Sequence, residues 1–410
     1  MTMFISFAAL FLAVILMQLS SGGVGPLDAL SGITLGFTTT EIGLLGSAHF
    51  LGFFIGCWWA PRLMGTVGHA RAFAAFTAAG TIGLMAHMLV VDPWAWAGMR
   101  VASGVCVAGC YTVIEAWLNA KLTNETRGRA MGVYRVTDMG AQLIAQMMIS
   151  VLEPASYVSY NILAIFCCAS LLPLVLTKRR QPETPSAPRL RPSLAYRASP
   201  LAAMGVIVAS LSSATFRMVG PLYGDRVGLA VDQIAYFLAV FILGGALSQI
   251  PVGWLADKYD RRHVMIGLSI AAIISCLVSA SLQELSATGV MLTAFFFGLT
   301  AFPIYSVAAA HANDFATPEE RVELAAALMF FFAVGAIAAP LVASGLIERF
   351  DPSAMFLMIA AAHAALILFG FLRMLVRPTM GEKTRYIWLP RTSFTIGRLT
   401  RPDDDSDKDT

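Results

Sequence analysis

Long apolar segments recur along the whole chain and are separated by short polar connections. Of the 410 residues, 57% are hydrophobic and 13% are charged, whereas soluble domains hold about 45–50% apolar residues. A helix that crosses a membrane needs roughly 20 mostly apolar residues. The pattern therefore predicts an all-α membrane protein with twelve transmembrane helices, at about 4–30, 41–60, 71–91, 94–118, 129–152, 156–177, 200–223, 231–253, 263–283, 287–312, 322–347 and 353–376.

A polar, proline-rich and basic segment interrupts this series after the sixth predicted helix. It begins Lys178-Arg179-Arg180 and shows no helical periodicity, which is typical of a linker. The residues from 377 onward mix basic side chains with Gly, Pro and Thr and end in an acidic run, a composition typical of disorder. The expected organisation is a six-helix bundle over 1–177, a cytoplasmic linker over 178–199, a second six-helix bundle over 200–376 and a disordered cytoplasmic tail over 377–410.

Short motifs recur at equivalent places in the two predicted bundles. Val24-Gly25-Pro26-Leu27 in the first helix returns as Val219-Gly220-Pro221-Leu222 in the seventh. Thr123–Arg127, between the fourth and fifth helices, has its counterpart in Thr317–Arg321, between the tenth and eleventh. Because the matches share nearly one offset, they predict a duplicated six-helix unit. That arrangement places a substrate site between the halves, near the bilayer midplane.

Lysine and arginine residues are distributed unevenly between the two sides that this plan defines. Arg226 and Arg349 fall in loops of one side, Arg100, Arg135 and Arg217 fall within predicted helices, and the others of the 28 lie on the opposite side. Cytoplasmic loops are enriched in lysine and arginine. The bias therefore predicts a multi-pass protein of the bacterial inner membrane with both termini in the cytoplasm.

No sequence feature indicates catalysis or a bound cofactor. The chain contains no Gly-x-x-x-x-Gly-Lys-Ser/Thr phosphate loop, the motif that holds nucleotide phosphates. Its six cysteines lie within apolar segments and lack zinc-ligand or disulfide spacing. An enzyme is therefore not expected, nor a metal, a cofactor or a nucleic-acid partner. The expected partners are the lipid bilayer, a small-molecule substrate and protons, and the chain is expected to be a monomer.

A compact charged decapeptide separates the eighth and ninth predicted helices. It reads Gly253-Trp-Leu-Ala-Asp257-Lys-Tyr-Asp260-Arg261-Arg262. Together with the six-plus-six plan it resembles the major facilitator superfamily, whose loop signature is Gly-x-Leu-Ala-Asp-Arg/Lys-x-Gly-Arg-Arg/Lys. The resemblance covers about residues 4–376 and implies that fold and a transporter that works by alternating access.

The same resemblance implies a cytoplasmic gate. The acidic residue of the loop is expected near the positive N-terminus of the eleventh helix, and the two arginines are expected to reach carboxylates at the end of the tenth. In the first half the acidic position is Ala60, so a full latch is expected only in the second half. The expected gate residues are Gly253, Asp257, Arg261, Arg262 and Asp314.

Further segments narrow the resemblance to the YcaD-like branch of the superfamily. They are Val67–Phe73, Ile114–Asn119, Arg127–Arg129 and Pro221–Gly224. This narrower resemblance implies no particular substrate. The fifth helix also lacks the Gly-Pro pattern of the family's drug/proton antiporters, which disfavours a multidrug exporter without excluding one.

The fifth predicted helix has the clearest polar stripe. Arg135, Asp138, Gln142 and Gln146 stand at i, i+3, i+7 and i+11, which places them on one helical face. A charge at the centre of a lipid-facing helix costs about 2.5–3.5 kcal/mol, so the stripe is expected to face the protein interior. Two interpretations remain open: the stripe lines a cavity, or it ties helices together with Arg135 paired to Asp138.

Proton coupling needs a titratable group at membrane depth, and four residues are candidates. Glu115 lies in the inner part of the fourth helix, and Arg135 is its expected partner. A carboxylate that alternates between an arginine and a proton links protonation to conformation, whereas a permanent salt bridge is the structural alternative. Asp138 is the second carboxylate. Arg100 resembles the family's fourth-helix arginine, with snorkelling to the membrane surface as its alternative.

The expected substrate cavity draws on both halves. Arg217 is a lone cation in the seventh helix, where it could hold a substrate carboxylate or pair with Asp28 or Asp225. Gln18 occupies the matching part of the first helix, and Tyr305 follows Pro303, which is expected to kink the tenth. With the fifth-helix glutamines, the candidate cavity residues are Gln18, Gln142, Gln146, Arg217 and Tyr305.

The sequence thus favours a secondary active transporter, proton-coupled, for a small polar or organic solute. The two arginines Arg135 and Arg217 favour an anionic or zwitterionic solute. One alternative is proton-driven efflux of drugs or metabolites, which the 20 Met and 26 Phe residues leave open. The other is a membrane receptor or scaffold that never completes a transport cycle.

Overall fold

The computed structural model shows an all-helical chain. In the residues that it describes, no β-strand occurs. These residues are 2–122, 124–176, 187–281, 286–317, 319–376, 383–384, 386–387, 393–394 and 396–400.

The first half of the chain forms seven helices, of which the last two continue one another across Ser170. They are α1 Thr2–Thr34, α2 Thr39–Val67, α3 His69–Ala86, α4 Pro93–Lys121, α5 Asn124–Met148, α6 Tyr157–Ala169 and α7 Leu171–Val175.

The second half repeats this plan after a short connecting helix. Its helices are α8 Pro192–Ala198, α9 Pro200–Arg226, α10 Val231–Lys258, α11 Arg261–Ser281, α12 Ala287–Ala301, α13 Ile304–Asn313, α14 Arg321–Arg349 and α15 Ala354–Val376, followed by a 3₁₀ helix Ile396–Thr400. The break between α12 and α13 falls at Phe302-Pro303, so the predicted interruption of the tenth span by Pro303 is confirmed.

The membrane-spanning plan follows from the lengths of these helices. In the described residues, ten helical segments are long and apolar enough to cross a membrane. Two more helices, α3 and α5, are packed among them: α3 against α4 and α6, α5 against α1 and α10. Apolar side chains such as Leu89, Ile250 and Leu375 are exposed on the outside, as a lipid environment requires. The predicted all-α membrane fold is confirmed; of the twelve predicted spans, ten meet the length and hydropathy of a membrane crossing in the described residues.

The two halves meet through matching pairs of helices. Contacts across the interface join α1 to α9, α2 to α14 and α5 to α10. The first pair consists of the first long helix of each half. In the second pair, the second helix of the first half contacts the fifth membrane span of the second half. In the third pair, the fifth helix of the first half contacts the second membrane span of the second half. This reciprocity is what a duplicated unit with a pseudo-two-fold relation produces.

Glycines at equivalent positions allow close backbone approach inside each half. A Cβ on Gly104 of α4 would lie 2.1 Å from the carbonyl oxygen of His49 in α2. A Cβ on Gly298 of α12 would lie 2.1 Å from the carbonyl oxygen of Phe241 in α10. Small residues at such crossings let membrane helices pack without the hydrophobic driving force available in water. Any side chain larger than hydrogen would separate these helices.

The two ends of the molecule differ in how the halves are held. At the end formed by the α1–α2, α9–α10 and α14–α15 connections, which we call the distal end, α2 and α14 bond directly. Glu348 accepts hydrogen bonds from the backbone and hydroxyl of Thr40, the former at 3.0 Å. Arg226 donates to the Thr39 hydroxyl at 3.0 Å. The halves are therefore closed against each other at the distal end.

The opposite end, which we call the tail end, holds the segment after α15. We call its described residues, 383–384, 386–387, 393–394 and 396–400, the tail segment, and they are packed against both halves. Ser393, Phe394 and Ile396 are buried. The predicted disorder therefore does not hold for these residues, because their apolar side chains are covered by α2, α4 and α14. Residues 377–382 and 401–410 lie outside the described residues.

The predicted linker is also partly ordered. Its later part contains α8, which packs against α9 and α14. Pro192 opens this helix, a position where its missing N–H costs nothing. The linker was predicted to be non-helical, and this prediction is wrong for residues 192–198. Residues 178–186 lie outside the described residues.

Candidate functional site

A cavity lies between the two halves, near the middle of the long helices. Its volume is about 110 Å³, room for several water molecules. One wall is polar and comes mainly from α1, α4, α5 and α9. The polar and charged lining residues are Gln18, Ser21, His49, Tyr111, Arg135, Asp138, Gln142, Ser213, Arg217, Gln249, Tyr305 and Ser306.

Asp138 is the buried carboxylate of this cavity. Its Oδ1 accepts hydrogen bonds from Gln18 Nε2 of α1 at 2.9 Å and from the Tyr111 hydroxyl of α4 at 2.7 Å. Both donors are neutral, so they orient the carboxylate without neutralising its charge. Gln18 is itself positioned by Ser21, whose hydroxyl donates to its Oε1 at 3.2 Å.

Arg217 brings a positive charge into the cavity from the second half. Gln142, with its side-chain oxygen turned toward α9, accepts from both terminal nitrogens of Arg217, at 3.2 and 2.9 Å. Within the described part of the chain, no carboxylate forms an ion pair with Arg217. The alternative partner Asp28 is engaged elsewhere. The Arg217–Gln142 contact therefore joins the two halves through an uncharged acceptor.

The residues of the polar stripe on α5 have two different environments, depending on their position along the helix. Arg135, Asp138 and Gln142 line the cavity, as the cavity interpretation predicts. Gln146 does not: its Nε2 donates to the Gly22 carbonyl of α1 at 2.9 Å, as the interhelical interpretation predicts. Gln146 stands eleven residues beyond Arg135, roughly 16 Å along the axis, and its bond ties α5 to α1 within the first half.

Tyr305 and a set of aromatic and methionine side chains form the remaining wall. The Tyr305 hydroxyl lies 3.6 Å from the sulfur of Met329, and its ring meets Phe332 edge-on at 5.8 Å. Tyr305 therefore takes the predicted place in the cavity. The apolar lining residues are Phe50, Phe53, Val107, Met139, Met218, Phe302 and Phe332.

Glu115 is buried, but it lies on the tail side of the cavity rather than in its wall. The Tyr134 hydroxyl approaches its Oε1 at 3.5 Å, and the Ser393 hydroxyl of the tail segment donates to its Oε2. Arg135 interacts electrostatically with both Glu115 and Asp138. The predicted proximity of Arg135 to Glu115 is thus present, and the contact with the tail segment is additional.

Arg100 belongs to a separate buried cluster near the distal end. Its Nε lies 3.3 Å from Asp28 Oδ2 of α1. Asp28 also accepts a hydrogen bond from the Tyr160 hydroxyl at 2.9 Å and lies 3.7 Å from His87 Nε2. Arg100 is 1% exposed, so it does not snorkel to the surface, and it does not line the cavity either.

The gate decapeptide is organised around Arg261. Its Nη1 donates to Asp314 Oδ1 at 2.6 Å and to the Ala310 carbonyl at 2.8 Å. Its Nη2 lies 3.3 Å from Asp257 Oδ1. This predicted Arg261–Asp314 contact is present. Asp257 does not cap α14 in this conformation: it accepts the backbone N–H of Tyr386, from the tail segment, at 2.7 Å.

Arg262 bonds within the loop rather than to Asp314. Its side chain donates to Asp260 Oδ2 at 2.8 Å, and its backbone N–H donates to Asp260 Oδ1 at 3.0 Å. Partial burial by itself would raise the pKa of Asp260, but the hydrogen bonds and charge of Arg262 outweigh it and hold that pKa below its ordinary value. Asp260, which replaces the usual glycine of the signature, thus supplies a carboxylate for the second arginine.

The tail segment lies directly below the cavity. The Tyr386 hydroxyl donates to Gln249 Oε1, a cavity-lining residue, at 2.9 Å. A Cβ on Gly253 would lie 2.8 Å from the Tyr386 ring, so the first glycine of the decapeptide makes room for this tyrosine. Burial raises the pKa of Tyr386 to about 12. The gate and the tail segment are therefore one structural unit here.

Sequence reasoning missed several members of these sites. Tyr111 lies in an apolar run and shows no polar periodicity of its own. Asp28 and His87 were available as an intramembrane acid and a lone histidine, but their partners are distant in sequence. Phe394 and Ser393 lie in a segment whose composition predicts disorder. From the sequence, Asp28 is expected only as an alternative partner of Arg217.

The duplicated helical halves and a charged cavity at their interface define a membrane transporter. Residues 10–204 and 202–397 each match the sequence profile of the Major Facilitator Superfamily. The chain belongs to this superfamily, whose members are transporters and not enzymes. Its relatives are bacterial, and it is a multi-pass protein of the inner membrane.

Individual relatives agree with this assignment. An uncharacterized MFS-type transporter YcaD from Salmonella heidelberg (strain SL476) is 27% identical over 349 residues, which cover 83% of this chain and 87% of the relative. An uncharacterized MFS-type transporter from Yersinia pestis (strain Pestoides F) is 25% identical over 350 residues, 85% and 89% of the two chains. The predicted resemblance to the YcaD-like branch is confirmed.

Solved structures share the fold at low identity. The crystal structure of the nucleoside transporter NupG has a TM-score of 0.70 and 15% identity, covering 90% of this chain and 98% of that one. A bacterial homolog of the human lysosomal transporter Spinster, inward-facing and occupied, has a TM-score of 0.69 and 16% identity, covering 91% and 94%. The D-xylose-proton symporter has a TM-score of 0.66 and 12% identity, covering 90% of this chain and 97% of that one.

Proposed function

We propose that this protein is a proton-coupled secondary active transporter. It moves a small polar or organic solute across the bacterial inner membrane by alternating access, with the tail end facing the cytoplasm. The observation that supports it most is the charged cavity between the two halves. In the described residues, polar contacts and packing hold the halves together at the distal end, and contacts of this kind can break and form again. Two structural relatives are a nucleoside transporter and a sugar-proton symporter, which is compatible with a polar solute.

The proposed coupling site is the buried group of Asp138, Arg135 and Glu115. Asp138 lines the cavity, and Glu115 lies toward the tail end, with the charge of Arg135 acting on both carboxylates. Protonation of either carboxylate removes a negative charge that Arg135 would otherwise balance. The resulting change in attraction supplies the differential interaction that a conformational switch requires.

Reconstituted protein tests the proposal. A thermal-shift screen of metabolites identifies a ligand, and its uptake into proteoliposomes is then measured with and without an imposed pH gradient. We expect uphill uptake only with the gradient, and we expect Glu115→Gln or Asp138→Asn to abolish it. Asp232→Asn, at the exposed start of α10, is the matched control. Uptake that ignores the gradient, or uphill uptake that survives both substitutions, would refute proton coupling.

A second candidate function is proton-driven efflux of apolar compounds. The phenylalanine and methionine wall of the cavity, including Phe50, Phe332 and Met218, favours it. The same assay separates the two, because an exporter of this kind would respond to hydrophobic amines or aromatic compounds rather than to polar metabolites. A ligand that binds but is not transported, whether or not a gradient is imposed, would instead indicate a non-transporting receptor.

A further inference from the structure

The cavity contains two opposite charges, from different halves, that are not joined by an ion pair in the part of the chain that the structure describes, and Arg135 of α5 lines the same cavity. Asp138 comes from α5 in the first half and Arg217 from α9 in the second, and both line the same space. No ion pair joins them in the described residues. The Gln142 amide, one helical turn after Asp138, occupies the acceptor position on Arg217 instead.

Each charge also has unused binding capacity. Arg217 keeps part of its surface open to the cavity, and its described partner is a neutral amide. The hydrogen bonds to Asp138 all reach Oδ1, so in the described part of the chain Oδ2 accepts none. Charged groups at this depth are stable only when they are paired or hydrogen-bonded. A solute with one anionic and one cationic group would bind to both residues together.

We propose that the transported solute is amphoteric, with its anionic group on Arg217 and its ammonium group on Asp138. This inference rests on the proposed transport function. Because the two residues belong to different halves, such a solute would draw the halves together as it binds. The ammonium group and a proton would compete for the same carboxylate, which ties solute binding to proton release.

The probes are ω-amino carboxylates of two to six carbons, each compared with the carboxylate, the amine and the alcohol of equal length. Their effect on the melting temperature of the purified full-length protein is measured at neutral pH. We expect at least one amino carboxylate to raise it by several degrees. The matched carboxylate should raise it less, and the amine and alcohol should leave it unchanged.

Substitutions assign the two charges. Arg217→Gln should abolish the shifts from amino carboxylates and carboxylates, and Arg217→Lys should retain part of them. Asp138→Asn should reduce the amino carboxylate's shift to that of the plain carboxylate. Arg62→Gln on the exposed face of α2 and Asp232→Asn are the controls and should behave as wild type. Equal shifts from the alcohols, shifts that survive Arg217→Gln, or no shift from any probe would overturn the proposal.

Transport assays separate this proposal from the broader one. An amino carboxylate that binds as described but enters no proteoliposome under any gradient would support the solute class and contradict the transport function. Proton-driven uptake of a neutral solute that does not depend on Arg217 would support the transport function and contradict the solute class.

A different observation concerns access to the cavity. Along its first part, the tail segment bonds to the gate: the Thr384 backbone N–H and hydroxyl both donate to Asp314 Oδ1 at 2.8 Å, and Lys383 donates to the Tyr259 carbonyl at 2.9 Å. Tyr386 then reaches Gln249 at the cavity itself. The segment therefore fills the space between the gate and the cavity.

Along its second part, the tail segment bridges the halves. Phe394 packs against Phe54 of α2 at a centroid distance of 5.8 Å, and Phe54 in turn meets Phe330 of α14 at 5.8 Å. The 3₁₀ helix that follows contacts α4 and α5 on one side and α14 on the other. A Cβ on Gly397 would lie 3.0 Å from the Ala325 Cβ, so the backbone lies directly on α14.

From these contacts we infer that the tail segment is an internal plug. While it is seated, a solute cannot pass from the tail end to the cavity, and the gate carboxylates Asp257 and Asp314 are engaged by it. Transport requires the plug to withdraw at each cycle, or on a signal that displaces it.

A reversible disulfide tests the plug in the full-length protein. In the Gly397→Cys/Ala325→Cys variant, the expected Cβ separation of 3.0 Å is about 0.5 Å short of the 3.5–4.5 Å range of disulfides, so a small shift of the tail segment lets the bond form. Oxidation should stop uptake of the identified solute and reduction should restore it, while each single variant should be insensitive to oxidant. Uptake that continues in the cross-linked protein, with the cross-link verified by mass spectrometry, would overturn the inference.

Alkylation of Cys57 gives a second readout that does not need a solute. This thiol is 1% exposed and follows Phe54, whose ring packs against Phe394, by three residues on α2. Gly253→Ala, which puts a methyl group against Tyr386, should increase alkylation of Cys57 several-fold. Gly267→Ala in α11, where a Cβ would meet nothing within 4 Å, is the matched control. Equal Cys57 reactivity in the two variants would also contradict the plug.

Discussion

At the scale of single residues, the Asp28–Arg100 pair shows how charge is accommodated away from the cavity. Both side chains are about 1% exposed, and Arg100 Nη1 has no hydrogen-bond partner in the described residues. Asp28 is the carboxylate that balances this guanidinium. The pair therefore supports the packing of α1 on α4, and its loss would leave a buried charge.

We expect Asp28→Asn to destabilise the protein strongly, since removing one partner of a buried ion pair costs about 3–5 kcal/mol. The double variant Asp28→Asn/Arg100→Gln should recover part of that loss, because the unpaired charge is also removed. Asp92→Asn preserves an N-cap acceptor at the start of α4 and should have little effect. The melting temperatures of the wild type, the two single variants and the double variant are measured in detergent. If the losses of the two single variants simply add up in the double variant, Asp28 and Arg100 are not coupled.

Asp260 provides a pH-dependent contribution outside the membrane. Its pKa is lowered by Arg262, so the interaction stabilises the folded state at pH values above the ordinary carboxyl pKa, about 3.9. That stabilisation is lost as the pH falls through the lowered value. The difference in melting temperature between wild type and Asp260→Asn should therefore shrink from pH 5 to pH 3. A constant difference over this range would contradict the assignment.

At the scale of elements, the two loops that correspond in the duplicated plan have different structures. In the second half, α10 ends at Lys258 and the decapeptide bonds to α13 and to the tail segment. In the first half, α2 continues to Val67, and Ala60 is a buried residue within it. The first half thus presents no carboxylate that could act as Asp257 does.

We expect Asp257→Ala to impair uptake more than changes at the first-half counterpart. It removes the acceptor for the Tyr386 N–H and one partner of Arg261. Arg62→Ala and Gly65→Ala lie on exposed or open positions of α2 and should be tolerated. Initial uptake rates in proteoliposomes measure this, and equal tolerance of all three substitutions would exclude a specific latch.

At the scale of the whole molecule, alternating access requires the distal end to open. There Gly43 of α2 contacts α14 so closely that a Cβ would lie 1.8 Å from Ser344 Oγ and 2.7 Å from the Pro340 carbonyl oxygen. The Leu341 N–H also donates to the Ser47 hydroxyl at 3.2 Å. This contact forms only when the halves are closed at the distal end.

Gly43→Val should therefore act as a wedge. Overpacking costs about 1–3 kcal/mol, enough to shift a two-state population by roughly 5- to 150-fold, here toward opening at the distal end. Uptake should fall, and a cysteine introduced at Ser47 should label faster than in wild type. Gly345→Val on α14 has no neighbour within 4 Å of its Cβ and is the control. If the cysteine at Ser47 labels at the same rate in Gly43→Val as in the wild type, the contact between α2 and α14 does not open as proposed.

Much of this architecture could be predicted because it depends on local sequence. Helix length and hydropathy fix which segments enter a membrane, and the repeated Val-Gly-Pro-Leu motif fixes the duplication. The face shared by Arg135, Asp138 and Gln142 follows from helical periodicity alone. The resemblance of the decapeptide to the superfamily signature predicted the contact of Arg261 with Asp314 but not that of Arg262 with Asp260.

Tertiary structure decided which neighbour each face meets and at what depth. Periodicity placed Gln146 on the cavity face, but in the folded molecule its side chain bonds to the Gly22 carbonyl of α1. Tyr111, Asp28 and the tail segment acquired their roles from contacts between helices distant in sequence, which no local pattern encodes. The sequence by itself determined a duplicated membrane bundle with buried charges. The separation of Asp138 from Arg217, and the contacts of the tail segment with both halves, depend on long-range packing and could be known only from the folded molecule.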